Sequence, residues 1–141
     1  MKTVITNAHV ISPDLDVAGA AIEMEDNVIK ALHYDGTAPE GGDDVYDAGG
    51  CMVLPGFVDM HFHGAMGADM TDGTVDAIET LARGKLAEGV TTMCPATLTA
   101  PVEQLREVMK AAAVYRERQP VIRLAGVHLE GPFINPDLVG A

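Results

Sequence analysis

The 141-residue chain is long enough for a domain with its own core, and its 48% hydrophobic and 21% charged residues make it globular rather than disordered. A formal net charge of −12 argues against a nucleic-acid or anionic-membrane binder, since both need basic patches. No run approaches the roughly 20 apolar residues of a membrane span, and the start MKTVITNAHVISP is too short and polar for a signal peptide. A soluble cytoplasmic protein is expected, without nucleic-acid or membrane partners. With no Trp and three each of Tyr and Phe, the core has to be aliphatic and methionine-rich. Cys51 and Cys94 lack CxxC spacing and read as buried free thiols.

Residues 1–54 read as β structure. Short apolar stretches lie at 2–6, 8–11, 19–24 and 28–34, the last two separated by the turn-like Glu25-Asp26-Asn27. Residues 35–44, DGTAPEGGDD, are loop chemistry, and 45–47 and 51–54 are short strand-like pieces around Gly49-Gly50. Short strands at this spacing imply a small meander or half-sandwich. Pro55-Gly56 marks a boundary, after which the pattern becomes β-α-β-α-β. Residues 57–63 form a strand candidate. Residues 74–88 place Ile78, Leu81, Ala82 and Leu86 at helical spacing, with Gly89 as the stop. A strand over 90–94 follows. A helix begins near Pro101 and lines Val102, Leu105, Val108, Met109 and Ala112 along one face to about Arg118. Residues 121–129 make a third strand. Strands alternating with helices imply a parallel sheet.

The segment GFVDMHFHG, residues 56–64, carries the strongest chemical signal. On a strand, side chains alternate, so Asp59, His61 and His63 share one face. Two imidazoles at i and i+2 converge at the end of the strand, just before a glycine-rich loop, where open α/β sheets and barrels place their sites. Imidazole is the commonest side-chain ligand for zinc and related metals. In VHLEGPF, residues 127–133, His128 and Glu130 share a face at the end of the third strand. A carboxylate there can ligate a metal and orient water. His61, His63 and Glu130 are the candidate metal ligands. Asp59 and His128 are candidates for substrate contact or for orienting a ligand from behind. Thr91, Thr92 and Thr97 read as strand and turn residues, Asp69 and Asp72 as loop and capping acids, and His9 and His33 as structural or exposed. Cys94 lacks the surroundings of a nucleophile.

The run PGFVDMHFHG resembles the first-strand signature of the amidohydrolase superfamily. With GAMGADMTD and HLEGPFINP, the chain resembles the N-acetylglucosamine-6-phosphate deacetylase branch over nearly its whole length. HLEGPF is the more branch-specific of these motifs. The resemblance implies an N-terminal β-sandwich segment (1–54) followed by the first β/α units of a TIM-type (β/α)8 barrel (55–141, three strands and two helices). It implies that His61, His63 and Glu130 bind a divalent metal, with zinc, iron, manganese and cobalt equally suited to such donors. The implied reaction is hydrolysis of the N-acetyl group of N-acetylglucosamine 6-phosphate to glucosamine 6-phosphate and acetate.

A complete barrel takes about 250 residues, so the chain reads as a truncated barrel that stops inside the loop after the third strand. No catalytic residue is expected within it, because the family's proton-transferring Asp belongs beyond residue 141. The isolated chain is expected to be inactive and, with barrel edges exposed, to self-associate as a homo-oligomer. Two alternatives stay open: another amidohydrolase, of the aminoacylase or dihydroorotase kind, or a non-catalytic half-barrel assembly module.

Overall fold

The computed structural model describes residues 1–35, 37 and 39–138. The closing Val139-Gly140-Ala141, read from sequence as part of the loop after the third strand, lies outside the described residues. The chain divides into two compact units, Met1–Pro55 and Gly56–Ala141. No described helix is long and apolar enough to cross a membrane.

The first unit is one five-stranded sheet. Strands β1 (Lys2–Ser12), β2 (Leu15–Glu25) and β3 (Val28–His33) form an antiparallel meander, and β4 (Asp44–Asp47) and β5 (Met52–Val53) pair parallel to β1. The two stretches expected at 2–6 and 8–11 are one strand. Asn7 joins them at φ 49, and the β1–β2 register shifts between Ile5 and Ala8. This is a bulge that re-aims the strand without ending it. Asp26 and Asn27 both take positive φ, the backbone a tight two-residue hairpin needs. A small cluster of Ala8, Val10, Ala20 and Ile22 forms the buried core of this unit. His9 pairs with Asp16 at 2.6 Å, and His33 with Glu23 at 3.3 Å. Cys51 is free but exposed, not buried. It follows the Gly49-Gly50 turn, whose geometry turns its side chain out to solvent while its N–H bonds the Ala48 carbonyl.

The second unit contains β6 (Phe57–Asp59), β7 (Gly64–Ala65), β8 (Ala68–Asp69), α1 (Val75–Ala87), β9 (Val90–Met93), α2 (Val102–Arg118) and β10 (Arg123–Leu124), with short 3-10 turns at Met70–Asp72 and Pro136–Leu138. Strands β6, β9 and β10 make a parallel sheet in the order β10-β9-β6, and β7 and β8 make a hairpin. Asp69 and Asp72 form a capping box around the 3-10 turn. Thr74 caps α1 by accepting from the Ala77 N–H, and Gly89 follows the helix at φ 84.

The core of this unit gathers Met70, Ile78, Leu81 and Ala82 with Met93, Val108, Ala112, Tyr115 and Leu124. The expectation of an aliphatic, methionine-rich core holds for Met70 and Met93, but Tyr115 is the largest fully buried side chain. Its hydroxyl donates to the Ile122 carbonyl at 2.8 Å and accepts from the Ile122 N–H at 3.3 Å. Burial pushes the phenol above the ordinary tyrosine range. Tyr115→Phe strips both backbone groups of their partner in a buried place. A loss of about 1–3 kcal/mol in urea unfolding is expected, and a loss near zero would mean that water replaces the hydroxyl.

Two expectations for this unit need correction. The third strand is not 121–129 but Arg123–Leu124, followed by a single parallel bridge between Ala96 and His128. Pro95 interrupts the donor ladder of the neighbouring strand there, because proline has no N–H. The first strand likewise ends at Asp59, not at His63. The apolar positions Leu86, Val102 and Met109, at the edges of their helical faces, are exposed. Val102 and Met109 instead line an open groove with Leu129, Pro132 and Phe133, while Ala111 and Tyr115 take the inner face of α2.

Candidate metal centre

The chain beyond β6 keeps running beside β9 although the regular ladder has stopped. The Cys94 N–H bonds the Asp59 carbonyl at 2.8 Å, and the Ala96 N–H bonds the Phe62 carbonyl at 2.7 Å. Three residues on one side therefore match two on the other, which is the count of a bulge. The simple alternation read from sequence is broken between Asp59 and Phe62, and His61 and His63 sit on this irregular segment. Their rings meet edge to face, with centroids 5.2 Å apart and planes at 87°.

Glu130 comes from the segment after β10. The His128 N–H bonds the Pro95 carbonyl and the Thr97 N–H bonds the His128 carbonyl, tying this segment to the end of β9. Thr99 Oγ1 donates to the Glu130 carbonyl at 2.9 Å. Gly131 lets the two backbones approach: a Cβ there would lie 2.9 Å from Thr99 Oγ1, at a φ of +135. Glu130 Oε2 lies 3.1 Å from His63 Nε2. One ligand atom each from His61, His63 and Glu130 falls within 4.8 Å of the others. These are the three residues the sequence singled out as ligands.

The structure places the two supporting candidates differently. His128 stands beside the cluster, its ring 5.0 Å from that of His61 and the two Nδ1 atoms 3.5 Å apart. Asp59 turns away from the three. Its Oδ1 accepts the His61 N–H at 3.2 Å, and its Oδ2 lies 3.1 Å from Lys85 Nζ. Sequence reasoning passed over Lys85 and read Thr97 only as a strand or turn residue. Lys85, in the last turn of α1, looks like an ordinary cation at a helix C-terminus, so spacing alone could not flag it. Thr97 is fully buried with no partner for its hydroxyl among the described residues. Its position two residues after Pro95, at the end of a core strand, was the available signal.

The donor set fits a divalent metal. Two imidazoles and a carboxylate suit zinc, iron, manganese or cobalt. His63 Nδ1 is buried without a hydrogen-bond partner among the described residues, an arrangement that costs free energy unless something supplies the missing interaction.

Comparison with known proteins agrees on the kind of protein. Residues 44–124, more than half of the chain, match the model of the amidohydrolase family. The chain is similar to N-acetylglucosamine-6-phosphate deacetylase from Bos taurus, 36% identical over 102 residues, covering 70% of this chain and 25% of that protein. Among solved structures, the fold is that of the deacetylase of the same name from Pasteurella multocida, at TM-score 0.85 and 24% identity, covering 97% of this chain and 36% of that one. The Mycobacterium smegmatis N-acetyl-D-glucosamine-6-phosphate deacetylase superposes at TM-score 0.76 with 30% identity, covering 99% of this chain and 38% of that chain. The chain spans about a quarter of the length of the curated relatives it matches.

Proposed function

We propose, for a chain that belongs to the amidohydrolase family, that it forms the first part of a metal-dependent deacetylase acting on an N-acetylated amino-sugar phosphate. The observation that carries this reading is the convergence of His61, His63 and Glu130 within 4.8 Å, in a chain whose curated relatives bear that enzyme's name. On this reading the parallel β6-β9-β10 sheet with α1 and α2 is the opening of a (β/α)8 barrel, with the ligands at the carboxyl ends of its strands. The first unit is the N-terminal portion of a β-sandwich. The reading includes a cytoplasmic location and, for the 141-residue chain, self-association through exposed apolar side chains such as Phe57, Val58, Met60 and Phe133.

His61, His63 and Glu130 would hold the metal, which when bound supplies Lewis acidity toward an amide carbonyl and acidifies water. His128 faces the same cluster and is placed to touch the substrate or hold the His61 ring. Asp59 is engaged by His61 and Lys85, and Glu130 is taken as a ligand. Neither carboxylate is therefore free to carry a proton between water and the leaving amine.

Two preparations test the reading. The 141-residue chain is expected to bind zinc yet release no acetate from N-acetylglucosamine 6-phosphate; robust turnover by the chain alone would contradict the division of roles. Grafted in place of the matching portion of the M. smegmatis enzyme, the chain is expected to yield a chimaera that releases acetate. A folded, metal-loaded chimaera without activity would overturn the substrate assignment.

A further inference from the structure

Lys85 is an unusual lysine for the last turn of a surface helix. Such a side chain ordinarily reaches into water beside the final carbonyls. Here it is only 13% exposed and makes two ion pairs, at 3.1 Å to Asp59 and at 2.9 Å to Glu88. Glu88 is 60% exposed and Asp59 24%, so the bond to Glu88 is the solvent-side one and the bond to Asp59 points inward. The ammonium also lies 4.6 Å from the centroid of the Phe62 ring, within cation–π range. One cation on α1 therefore touches the chain on both sides of His61.

The bulge explains why that matters. The ladder to β9 uses the carbonyls of Asp59 and Phe62, and the His61 N–H takes its acceptor from the Asp59 side chain. A carboxylate held by one hydrogen bond can rotate; held at its second oxygen by Lys85, it is fixed. We infer that Lys85 is a positioning residue, which sets the orientation of His61 and His63 by clamping Asp59 and the Phe62 ring against α1. The inference rests on the metal-ligand reading above for its consequence, though not for its geometry. Partners behind ligands commonly change metal affinity by about 10–100-fold when removed. The bond to Glu88, and after it the bond to Asp59, raise the Lys85 ammonium above the ordinary lysine range against the opposing effect of burial, which keeps the clamp charged.

The test uses the 141-residue chain with Lys85→Gln, Lys85→Arg and Glu88→Gln. Zinc binding is followed by calorimetry, and amide hydrogen exchange is followed without metal. Lys85→Gln is expected to weaken zinc binding by up to about tenfold and to speed exchange of the His61 amide, while the Ile78 and Leu81 amides of α1 keep their protection. Lys85→Arg is expected to recover both, and Glu88→Gln to leave both unchanged. A Lys85→Gln chain with unaltered His61 exchange would overturn the inference. If that variant also loosens Ile78 and Leu81, Asp59→Asn, which weakens the Lys85 bond at nearly constant size, is expected to speed His61 exchange, and unaltered exchange there would overturn the inference. Should the unaltered chain bind no zinc, the metal reading fails, while the His61 amide still decides whether Lys85 acts as a clamp.

Discussion

Zinc at 100 times its dissociation constant is expected to stabilise the Gly56–Ala141 unit by about 2.7 kcal/mol, and His63→Ala is expected to remove most of that stabilisation. His63 is central to the cluster. It lies 3.1 Å from Glu130 and its ring meets His61 edge to face. Removing it leaves only two of the three assigned ligands, His61 and Glu130, for a metal that favours four. Partners behind a ligand alone are worth about 10–100-fold in affinity, so loss of the ligand itself should cost at least about 100-fold. His9→Ala serves as the control, since His9 is occupied by Asp16 in the other unit. Melting curves with and without zinc measure the effect, and a His63→Ala chain that keeps its zinc-dependent shift would place the metal elsewhere.

The largest expected loss of stability without metal comes from Leu81→Ala. Leu81 is fully buried on the inner face of α1, in one cluster with Met70, Ile78, Met93 and Val108. Truncation removes the transfer free energy of three buried carbons and leaves a cavity that close-packed neighbours fill only in part. The expected cost is about 2–5 kcal/mol, a large share of the roughly 5–15 kcal/mol that holds a typical domain folded. Hydrogen exchange restricted to amides of α1, β9 and α2 isolates this unit from the first. By contrast, Leu86→Ala, on the same helix but 48% exposed, is expected to cost little. Equal losses at the two positions would mean that the burial pattern of α1 is misassigned.

The pair Leu81 and Leu86 also shows what sequence could and could not give. Helical spacing located α1 to within a residue at each end, because Thr74 and Gly89 are strong start and stop signals. Spacing does not tell which apolar residues lie at the margin of the buried stripe, and Leu86, Val102 and Met109 are exposed. The three candidate ligands were legible because histidine and glutamate placed next to glycine at the ends of strands are chemically conspicuous. Their geometry was not. The bulge between Asp59 and Phe62 depends on how β9 pairs across to it, a long-range property with no local signature. The third strand was overestimated for a related reason: Val121, Ile122, Leu124 and Val127 have strand-forming side chains, but pairing partners, not propensity, decide where a ladder runs. Lys85 was invisible to spacing because its role depends on an inward turn of the side chain toward Asp59.

The most direct test of the metal centre is a titration of the 15N-histidine-labelled chain with zinc, followed by imidazole resonances. The five histidines are His9, His33, His61, His63 and His128. Below one equivalent, the ring signals of His61 and His63 are expected to move together into a bound form, while His9 and His33 stay in place. Zinc-dependent shifts confined to His9 or His33, or no bound form at His61 and His63, would contradict the assignment of the site.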